Sequence, residues 1–190
     1  MPNNEFILLK HAKTRINSKI PVSEWKLDSS GLTKLHGLLK NTDFSNIDIV
    51  IASSEYKAKK TAEIFSRKFG LEIQSYRELK ELNRDQGDFL ATKSYNDLVK
   101  TAMKKTKKSA NNWETADSAL SRFSKCIESI NEDNNDKCIL IVSHGIVINL
   151  FLASIRKKRK NIYDYWKSMD FCDYAIIKNS RIIKDISIKK

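Results

Sequence analysis

Two of the three histidines in the sequence directly follow short apolar segments that end in a polar residue. His11 follows Phe6–Lys10, and His144 follows the apolar run Lys137–Ser143. A neutral imidazole can attack phosphorus as a nucleophile, and an imidazole N–H can donate to an anion. Basic residues lie near both histidines, so the pair suggests a phosphate site. The third histidine, His36, lies inside a helical pattern and is assigned no role.

The elements that must position these histidines are visible as apolar periodicity. Continuous apolar runs predict buried strands, and apolar residues spaced three or four apart predict helices. Ser29 or Ser30 is a candidate N-cap for the first helix, and Gly70 is a candidate end for the second. The predicted strands are Phe6–Leu9, Ile47–Ala52, Leu71–Ser75 and Lys137–Ser143, with a hairpin of Tyr174–Lys178 and Arg181–Ile188 around Asn179–Ser180. The predicted helices are Ser29–Leu39, Ala58–Phe69, Trp113–Ile130 and Ile146–Ile155.

The alternation of these elements predicts the fold class. Strands that alternate with helices and are apolar throughout are typical of a mostly parallel sheet covered on both faces. We therefore predict an α/β fold, a three-layer α/β/α sandwich with a mostly parallel central sheet. Ligands of such sheets bind at the carboxyl ends of the strands. That rule selects three segments, Lys10–Asn17, Ser53–Lys57 and Ser143–Gly145, and two of the three contain a histidine.

The composition fits one globular domain. The chain has 190 residues, of which 41% are hydrophobic and 31% are charged, with only 5 Gly and 2 Pro. This composition excludes a disordered or collagen-like chain, and the length predicts one domain over residues 1–190. Residues 76–112 are polar and only weakly periodic, so we predict an irregular insertion there that contains one helix and covers the site.

The sequence also predicts where the protein works. Its apolar runs are far shorter than the roughly 20 residues that span a bilayer, and its N-terminus lacks the pattern of a signal peptide. The three cysteines, Cys126, Cys138 and Cys172, have neither zinc-knuckle nor redox-pair spacing. We therefore expect a cytoplasmic protein with buried, reduced thiols, no membrane partner and no structural metal.

The basic residues suggest an acidic partner without naming one. Lys and Arg number 35 against 23 Asp and Glu, a net charge of +12, and they cluster at Lys104–Lys108 and Arg156–Lys160. Such runs are usually solvated surface, although a positive field also attracts anionic substrates. The chain has no zinc finger and no aromatic ribonucleoprotein motif, so no specific nucleic-acid partner is expected. Polyanion binding through the lysine runs stays a weaker alternative.

Five segments, in order along the chain, resemble the motifs of the histidine phosphatase superfamily in its phosphoglycerate mutase-like branch. Leu8–Asn17 is similar to an apolar strand followed by Arg-His-Gly, a Thr or Ser, and an Asn. Ala52–Ala62 has the length of Ser-Ser-Pro-x-x-Arg-Ala-x-x-Thr-Ala. Trp25–Gly31 resembles the start of the family's first helix, Leu79–Leu82 resembles the acidic segment, and Val142–Gly145 resembles the second histidine motif. The resemblance covers about residues 5–152.

The resemblance implies roles for individual residues. His11 would be the nucleophile that forms a phosphohistidine, and His144 would donate to the phosphoryl oxygens. Asn17 and Gly145 would belong to the phosphate-binding group. Glu81 would be the general acid and base, with Glu78 as its competitor. No cofactor and no metal are implied, and the substrate would be a small phosphorylated molecule or a phosphoprotein.

Three positions depart from the family's pattern. Lys10 and Lys57 occupy the two arginine slots, and Ala12 occupies a glycine slot. Lysine supplies the same charge as arginine but lacks its planar fork of donors. We therefore predict a phosphomonoesterase and keep two alternatives. One is a weakly active or inactive member that binds phosphorylated ligands or a protein partner, and the other is mutase-type phosphoryl transfer. The oligomeric state is left open.

Overall fold

The fold is built on a central sheet whose strands have mixed directions. A computed structural model describes residues 3–84, 90–156 and 161–186. In this part of the chain the sheet has six strands in the order β3-β2-β4-β1-β5-β6. Strands β1, β2, β3 and β4 are mutually parallel, and β5 runs antiparallel to both of its neighbours, β1 and β6. Their bounds are β1 Glu5–Lys10, β2 Ile49–Ser53, β3 Ile73–Tyr76, β4 Cys138–Ser143, β5 Tyr174–Lys178 and β6 Arg181–Lys184. The predicted mostly parallel sheet is confirmed.

Helices cover both faces of the sheet. Successive side chains of a strand point to opposite faces, and β4 accordingly sends Ile139 and Ile141 into one core and Leu140 and Val142 into another. The first core is closed by α3, α4 and α5, and the second by α1 and α2. The helices are α1 Ser29–Asn41, α2 Tyr56–Phe69, α3 Thr92–Lys104, α4 Ala116–Glu132, α5 Gly145–Ile155 and α6 Ile162–Ser168. The three-layer α/β/α prediction is therefore confirmed.

The residues at the start of α1, at the end of α2 and in the turn between β5 and β6 explain why these elements begin or end there. Asp28, and not Ser29 or Ser30, is the N-cap of α1, because its side chain accepts from Ser30 N at 2.9 Å. Gly70 closes α2 as predicted, in the left-handed conformation with φ of 69°. Asn179 and Ser180 both have positive φ, at 49° and 58°, as a tight hairpin between β5 and β6 requires.

Several sequence-based assignments differ from the structure. Helix α4 begins at Ala116 and not at Trp113, because Thr115 caps it by accepting from Ser118 N at 3.2 Å. Helix α6 was not predicted, and the hairpin's second strand ends at Lys184. Asp185 and Ile186, which were predicted to continue the strand, lie outside it, and positions 187 and 188 lie outside the described residues. The predicted helix within residues 76–112 is α3, at Thr92–Lys104.

The structure tests some of the remaining sequence predictions, on the basic runs, the cysteines and membrane spans, and leaves others untested. The lysines of Lys104–Lys108 are exposed. Arg156 pairs with Asp185, and residues 157–160 of the second basic run lie outside the described residues. All three cysteines are buried free thiols, as predicted. Within the described ranges, no helix is long and apolar enough to cross a membrane. The cytoplasmic location stays a prediction.

Candidate active site

His11 lies immediately after β1, at the carboxyl end of the sheet. Its backbone N–H donates to Ser143 O at 2.9 Å, which fixes the residue against the end of β4. The imidazole is buried, with 6% of the residue exposed, and its Nδ1 lies 2.8 Å from Ala12 O. A carbonyl can only accept, so Nδ1 carries the proton and donates. The lone pair of His11 is therefore on Nε2.

The surroundings of His11 favour its neutral form. Burial is the largest cause that lowers its pKa well below the ordinary value, and the nearby groups His144, Lys57 and Lys10 lower it further. The hydrogen bond to Ala12 O acts in the opposite direction and is outweighed. A neutral imidazole with a bare Nε2 is the form that a nucleophile requires.

His144 stands beside His11, at the end of β4. The two ring centroids are 5.1 Å apart, and His144 is fully buried. Its Nε2 lies 2.8 Å from Ser53 Oγ, whereas its buried Nδ1 has no hydrogen-bond partner among the described residues. Burial and the charge of Lys57 lower its pKa well below the ordinary value. This imidazole is also neutral, and its buried Nδ1 is left unpaired by the described residues.

Lys10 reaches the site from the last position of β1. Its Nζ donates to Met169 O at 3.2 Å and lies 4.4 Å above the centre of the Phe171 ring. Burial lowers the pKa of this ammonium, against the opposing effect of Glu81. Gly145, the first residue of α5, packs on the same side chain: a Cβ there would lie 3.3 Å from Lys10 Cε and 3.4 Å from Trp166 Nε1. The absence of a side chain at Gly145 thus makes room for the ammonium.

Lys57 is bound to protein groups on two sides. Its Nζ donates to Val22 O at 2.9 Å and forms an ion pair with Glu55. Both side chains of the pair are about 95% buried. Glu55 also accepts from Glu81 N at 2.8 Å, and its Oε1 lies 3.6 Å from His144 Nε2. Burial acts to raise the pKa of Glu55, but Lys57 outweighs it, so the pKa is lowered and the carboxylate is ionised.

Glu55 is the site residue that the sequence reasoning missed. It stands in a variable position of the resembling motif, two residues before the arginine slot, at the N-cap of α2. A signal existed, because Glu55 follows β2 at the carboxyl end of the sheet, where ligand-binding residues are expected. The sequence alone did not indicate that the side chains of Glu55 and Lys57, two residues apart, contact each other. That contact depends on the β/extended backbone of Glu55, with ψ of 142°.

Glu81 is placed against the N-terminus of α5. Its carboxylate accepts three backbone N–H groups, from Leu82 at 3.0 Å, Ile146 at 3.0 Å and Val147 at 3.1 Å. It therefore satisfies helix donors that α5 cannot pair internally. Burial raises the pKa of this carboxyl, although the bond from Ile146 N acts in the opposite direction. A carboxyl with a raised pKa suits general acid chemistry.

Two of the predicted residues are exposed. Glu78 is exposed in the short 3₁₀ turn Arg77–Leu79, although it lines a cavity together with Glu81. Asn17 is exposed too, and its side-chain oxygen accepts from Lys19 N at 3.0 Å in the loop after β1. Ala12 is fully buried with an ordinary negative φ, so its methyl group causes no backbone strain.

A cavity of about 440 Å³ adjoins the cluster and is lined by Glu55, Lys57, Glu81 and Arg84 among others. An ion pair and a carboxyl of raised pKa therefore line the same cavity. Among the described residues, no group of three or more His, Cys, Asp or Glu side chains is arranged to hold a metal ion. The predicted metal independence is a matter for experiment.

Structural comparison finds the same fold in several solved structures. Bacillus stearothermophilus YhfR superposes with a TM-score of 0.77 at 16% identity over 96% of each chain. A mycobacterial glucosyl-3-phosphoglycerate phosphatase has a TM-score of 0.77 at 14% identity over 96% of this chain and 98% of that chain. The Shigella flexneri alpha-ribazole phosphatase has a TM-score of 0.72 at 19% identity over 97% of this chain and 96% of that chain.

Sequence comparison identifies the family. No curated protein matches the sequence significantly. The family model of the histidine phosphatase superfamily, branch 1, matches residues 6–180, which include His11, Glu81 and His144. The chain belongs to the histidine phosphatase superfamily.

Proposed function

We propose that the protein is a phosphomonoesterase that works through a phosphohistidine on His11. The observation that carries the proposal is the hydrogen bond from His11 Nδ1 to Ala12 O, which leaves a neutral imidazole with a bare Nε2 at the end of β1. Nε2 attacks phosphorus, the bond from phosphorus to the ester oxygen breaks, and the leaving alkoxide takes a proton. Water then attacks the phosphohistidine and releases inorganic phosphate and the imidazole.

The neighbours of His11 have supporting roles in this proposal. Ser53 Oγ accepts from Glu55 N at 3.3 Å, so its own hydroxyl proton can be donated to His144 Nε2. The neutral ring then carries its proton on Nδ1, which is buried without a protein partner and is a donor for a phosphoryl oxygen. The Lys10 ammonium and the Gly145 backbone at the start of α5 complete the anion site, and Asn17 joins it only if its loop moves inward.

Glu81 is the proposed proton donor and acceptor. In the first step its neutral carboxyl protonates the leaving oxygen, and in the second its carboxylate takes a proton from the attacking water. The raised pKa of the buried carboxyl supports this assignment over Glu78, which is exposed. The substrate is a small phosphorylated molecule in this proposal, and a phosphoprotein is the alternative.

A second candidate function is the binding of phosphorylated ligands without turnover. The observation that favours it is the ion pair between Lys57 and Glu55, which engages a cation of the anion site with a protein carboxylate. In such a protein phosphate would bind reversibly beside His11 and no phosphohistidine would form.

One experiment separates these functions. A panel of phosphate monoesters is assayed with the wild type, with His11→Ala and, as the matched control, with His36→Ala, which removes an exposed histidine. We expect turnover in the wild type and the control, no turnover in His11→Ala, an acid-labile phosphoryl adduct on His11 after quenching, and no effect of EDTA. Wild-type turnover in His11→Ala would refute the nucleophile. Phosphate binding without turnover in the wild type would support the second candidate, and phosphoryl transfer to an added alcohol would indicate mutase-type chemistry.

A further inference from the structure

A second and larger cavity, which the roles above leave unused, lies next to the proposed active site. Its volume is about 600 Å³, within the range of small-ligand pockets. Residues from the loop after β1, together with Arg84 and residues of the range 90–113, line it. The apolar side chains on its wall are mainly Ile20, Trp25, Leu90, Tyr95, Trp113 and Phe171.

The cavity is continuous with the surroundings of His11. Phe171 lines it, and the Phe171 ring centroid lies 5.6 Å from that of His11 and 4.4 Å from Lys10 Nζ. Val22 and Arg84 line both this cavity and the one beside Glu81. A group attached to a phosphate at His11 therefore has this cavity as an adjoining space.

The aromatic wall is held in place by its own contacts. The Tyr95 ring lies 5.8 Å from Trp113 and 5.8 Å from Trp166, and the Arg84 guanidinium stacks 4.4 Å above Tyr95. Trp113 is 3% exposed, and Trp25 Nε1 donates to Asn17 O at 2.9 Å. Burial raises the pKa of the Tyr95 phenol, which stays neutral. The rings thus form an ordered surface for a planar apolar group.

The character of the lining selects one class of ligand. Among the polar side chains that line it, Ser18, Lys19 and Thr92 are exposed and Arg84 and Asn96 are partly buried, whereas the rings, which form most of the wall, are buried or partly buried. A sugar or a small hydroxy acid would leave its hydroxyl groups against aromatic faces, and polar groups buried without partners cost free energy. A planar ring would replace water on those faces and stack on them.

We infer that this aromatic cavity binds the leaving group, and that the protein selects phosphate monoesters of alcohols that carry an aromatic ring. The inference rests on the proposed phosphatase function and adds the substrate class to it. The phosphoryl group would lie at His11 beneath Phe171, and the ring would extend past Phe171 toward Tyr95 and Trp113.

The test compares two esters that differ only in the ring. Propyl phosphate and 3-phenylpropyl phosphate release primary alcohols of similar acidity, so a difference in kcat/KM reports on binding of the ring and not on the leaving group. We expect kcat/KM to be about thirtyfold higher for the phenylpropyl ester, the size of effect that burial of a ring produces. Tyr95→Leu should reduce that ratio to about threefold or less. Phe69→Leu, which removes a ring at the remote end of α2, should keep it.

Binding of the matching phosphonates, which are not hydrolysed, gives a readout without turnover. Calorimetry with propylphosphonate and 3-phenylpropylphosphonate on the wild type, Tyr95→Leu and Trp25→Leu should show the same ring preference and its loss in both variants. Equal kcat/KM for the two esters, with turnover intact, would overturn the inference and leave the phosphatase proposal standing. A ring preference in binding without turnover of either ester would support the cavity and overturn the phosphatase proposal.

Discussion

Glu55 places a negative charge where a phosphate ester must bind, and its removal should tighten phosphate binding. Glu55 is 7% exposed and Lys57 is 4% exposed, so water screens neither charge well. An ammonium has three N–H donors. Lys57 directs one to Val22 O and one to Glu55, which leaves one for a phosphoryl oxygen. The substitution Glu55→Gln keeps the shape of the side chain and removes its charge.

The magnitude follows from Coulomb's law. A phosphoryl oxygen that contacts Lys57 from the side opposite the carboxylate lies about 5–6 Å from it, and at an effective dielectric constant of about 20 the repulsion of two unit charges is about 3 kcal/mol. The Gln amide withdraws part of that gain, because its NH₂ group points a donor at Lys57 in some orientations. We therefore expect inorganic phosphate to bind about tenfold to a hundredfold more tightly, which is about 1.4–2.8 kcal/mol.

The same substitution should lower the stability of the unliganded protein. Removal of one partner of a buried ion pair is strongly destabilising, by about 3–5 kcal/mol at full loss of the pair. The Gln oxygen can still accept from Lys57 or from Glu81 N, so we expect a loss of about 1–3 kcal/mol in the free energy of unfolding. Saturating phosphate should then raise the Tm of Glu55→Gln by more than that of the wild type.

The assay is calorimetric titration of phosphate, with thermal unfolding in parallel. The matched control is Glu63→Gln, which removes a carboxylate from α2 that pairs with Lys60 at 2.8 Å outside the site. The control should leave phosphate affinity unchanged. Unchanged or weaker phosphate binding in Glu55→Gln would refute the reasoning and show that Glu55 serves to position Lys57.

Three further predictions concern the acid, the buried histidine and the loop after β1. Glu81→Gln should slow hydrolysis of alkyl phosphates more than of aryl phosphates, whose leaving groups need no proton; Glu78→Gln should affect neither, and equal losses on both substrates with Glu81→Gln would exclude it as the acid. In the folded protein the His144 imidazole stays neutral, whereas in the unfolded chain it takes up a proton below its ordinary pKa of about 6.5. The free energy of unfolding should thus fall with pH from 6.5 to 5 by up to about 1.4 kcal/mol per unit for this group, and denaturant titrations of His144→Asn should show a flatter profile. Gly31→Ala should lower the free energy of unfolding by more than about 2 kcal/mol, because the added Cβ would lie 2.6 Å from backbone atoms of the loop after β1. Gly37→Ala lies in the same helix with open space around it, and it should raise the free energy of unfolding by about 0.5–1 kcal/mol in the same denaturation assay.

The sequence predicted the structure best where a local feature of the chain, such as an apolar run or a residue at a strand end, determines it. The apolar run of β4 predicted a central buried strand because each of its six residues is buried, on either face of the sheet. His11 and His144 could be placed together because both follow parallel neighbouring strands, and β1 and β4 are directly paired. Those two observations, with the motif resemblance, were sufficient to locate the candidate site.

Sequence reasoning failed where side chains distant in sequence decide the outcome. Helix α6 is short, at seven residues, and is held by contacts such as the bond from Asn149 Nδ2 to Ile162 O at 2.8 Å, which no local pattern shows. Glu81 was predicted as an acid, but its three bonds to backbone N–H groups, two of them from α5, depend on the meeting of two segments 65 residues apart. Local periodicity contains no information about contacts between segments that are distant in sequence.

The residues at positions 55 and 57 act as one unit. In the resembling motif the position two residues before the arginine is variable and requires no charge, so the cation can face the phosphate. Here Glu55 neutralises the cation from within the protein, and Lys57 suits that arrangement because a single ammonium can donate to Val22 O and to Glu55 at once. An arginine at position 57 would meet the same carboxylate, and its planar fork matches a carboxylate as well as it matches a phosphate. An arginine at position 57 would therefore pair with Glu55 in preference to a phosphate. Its guanidinium would bind a phosphoryl group only in a variant that lacks the charge of Glu55.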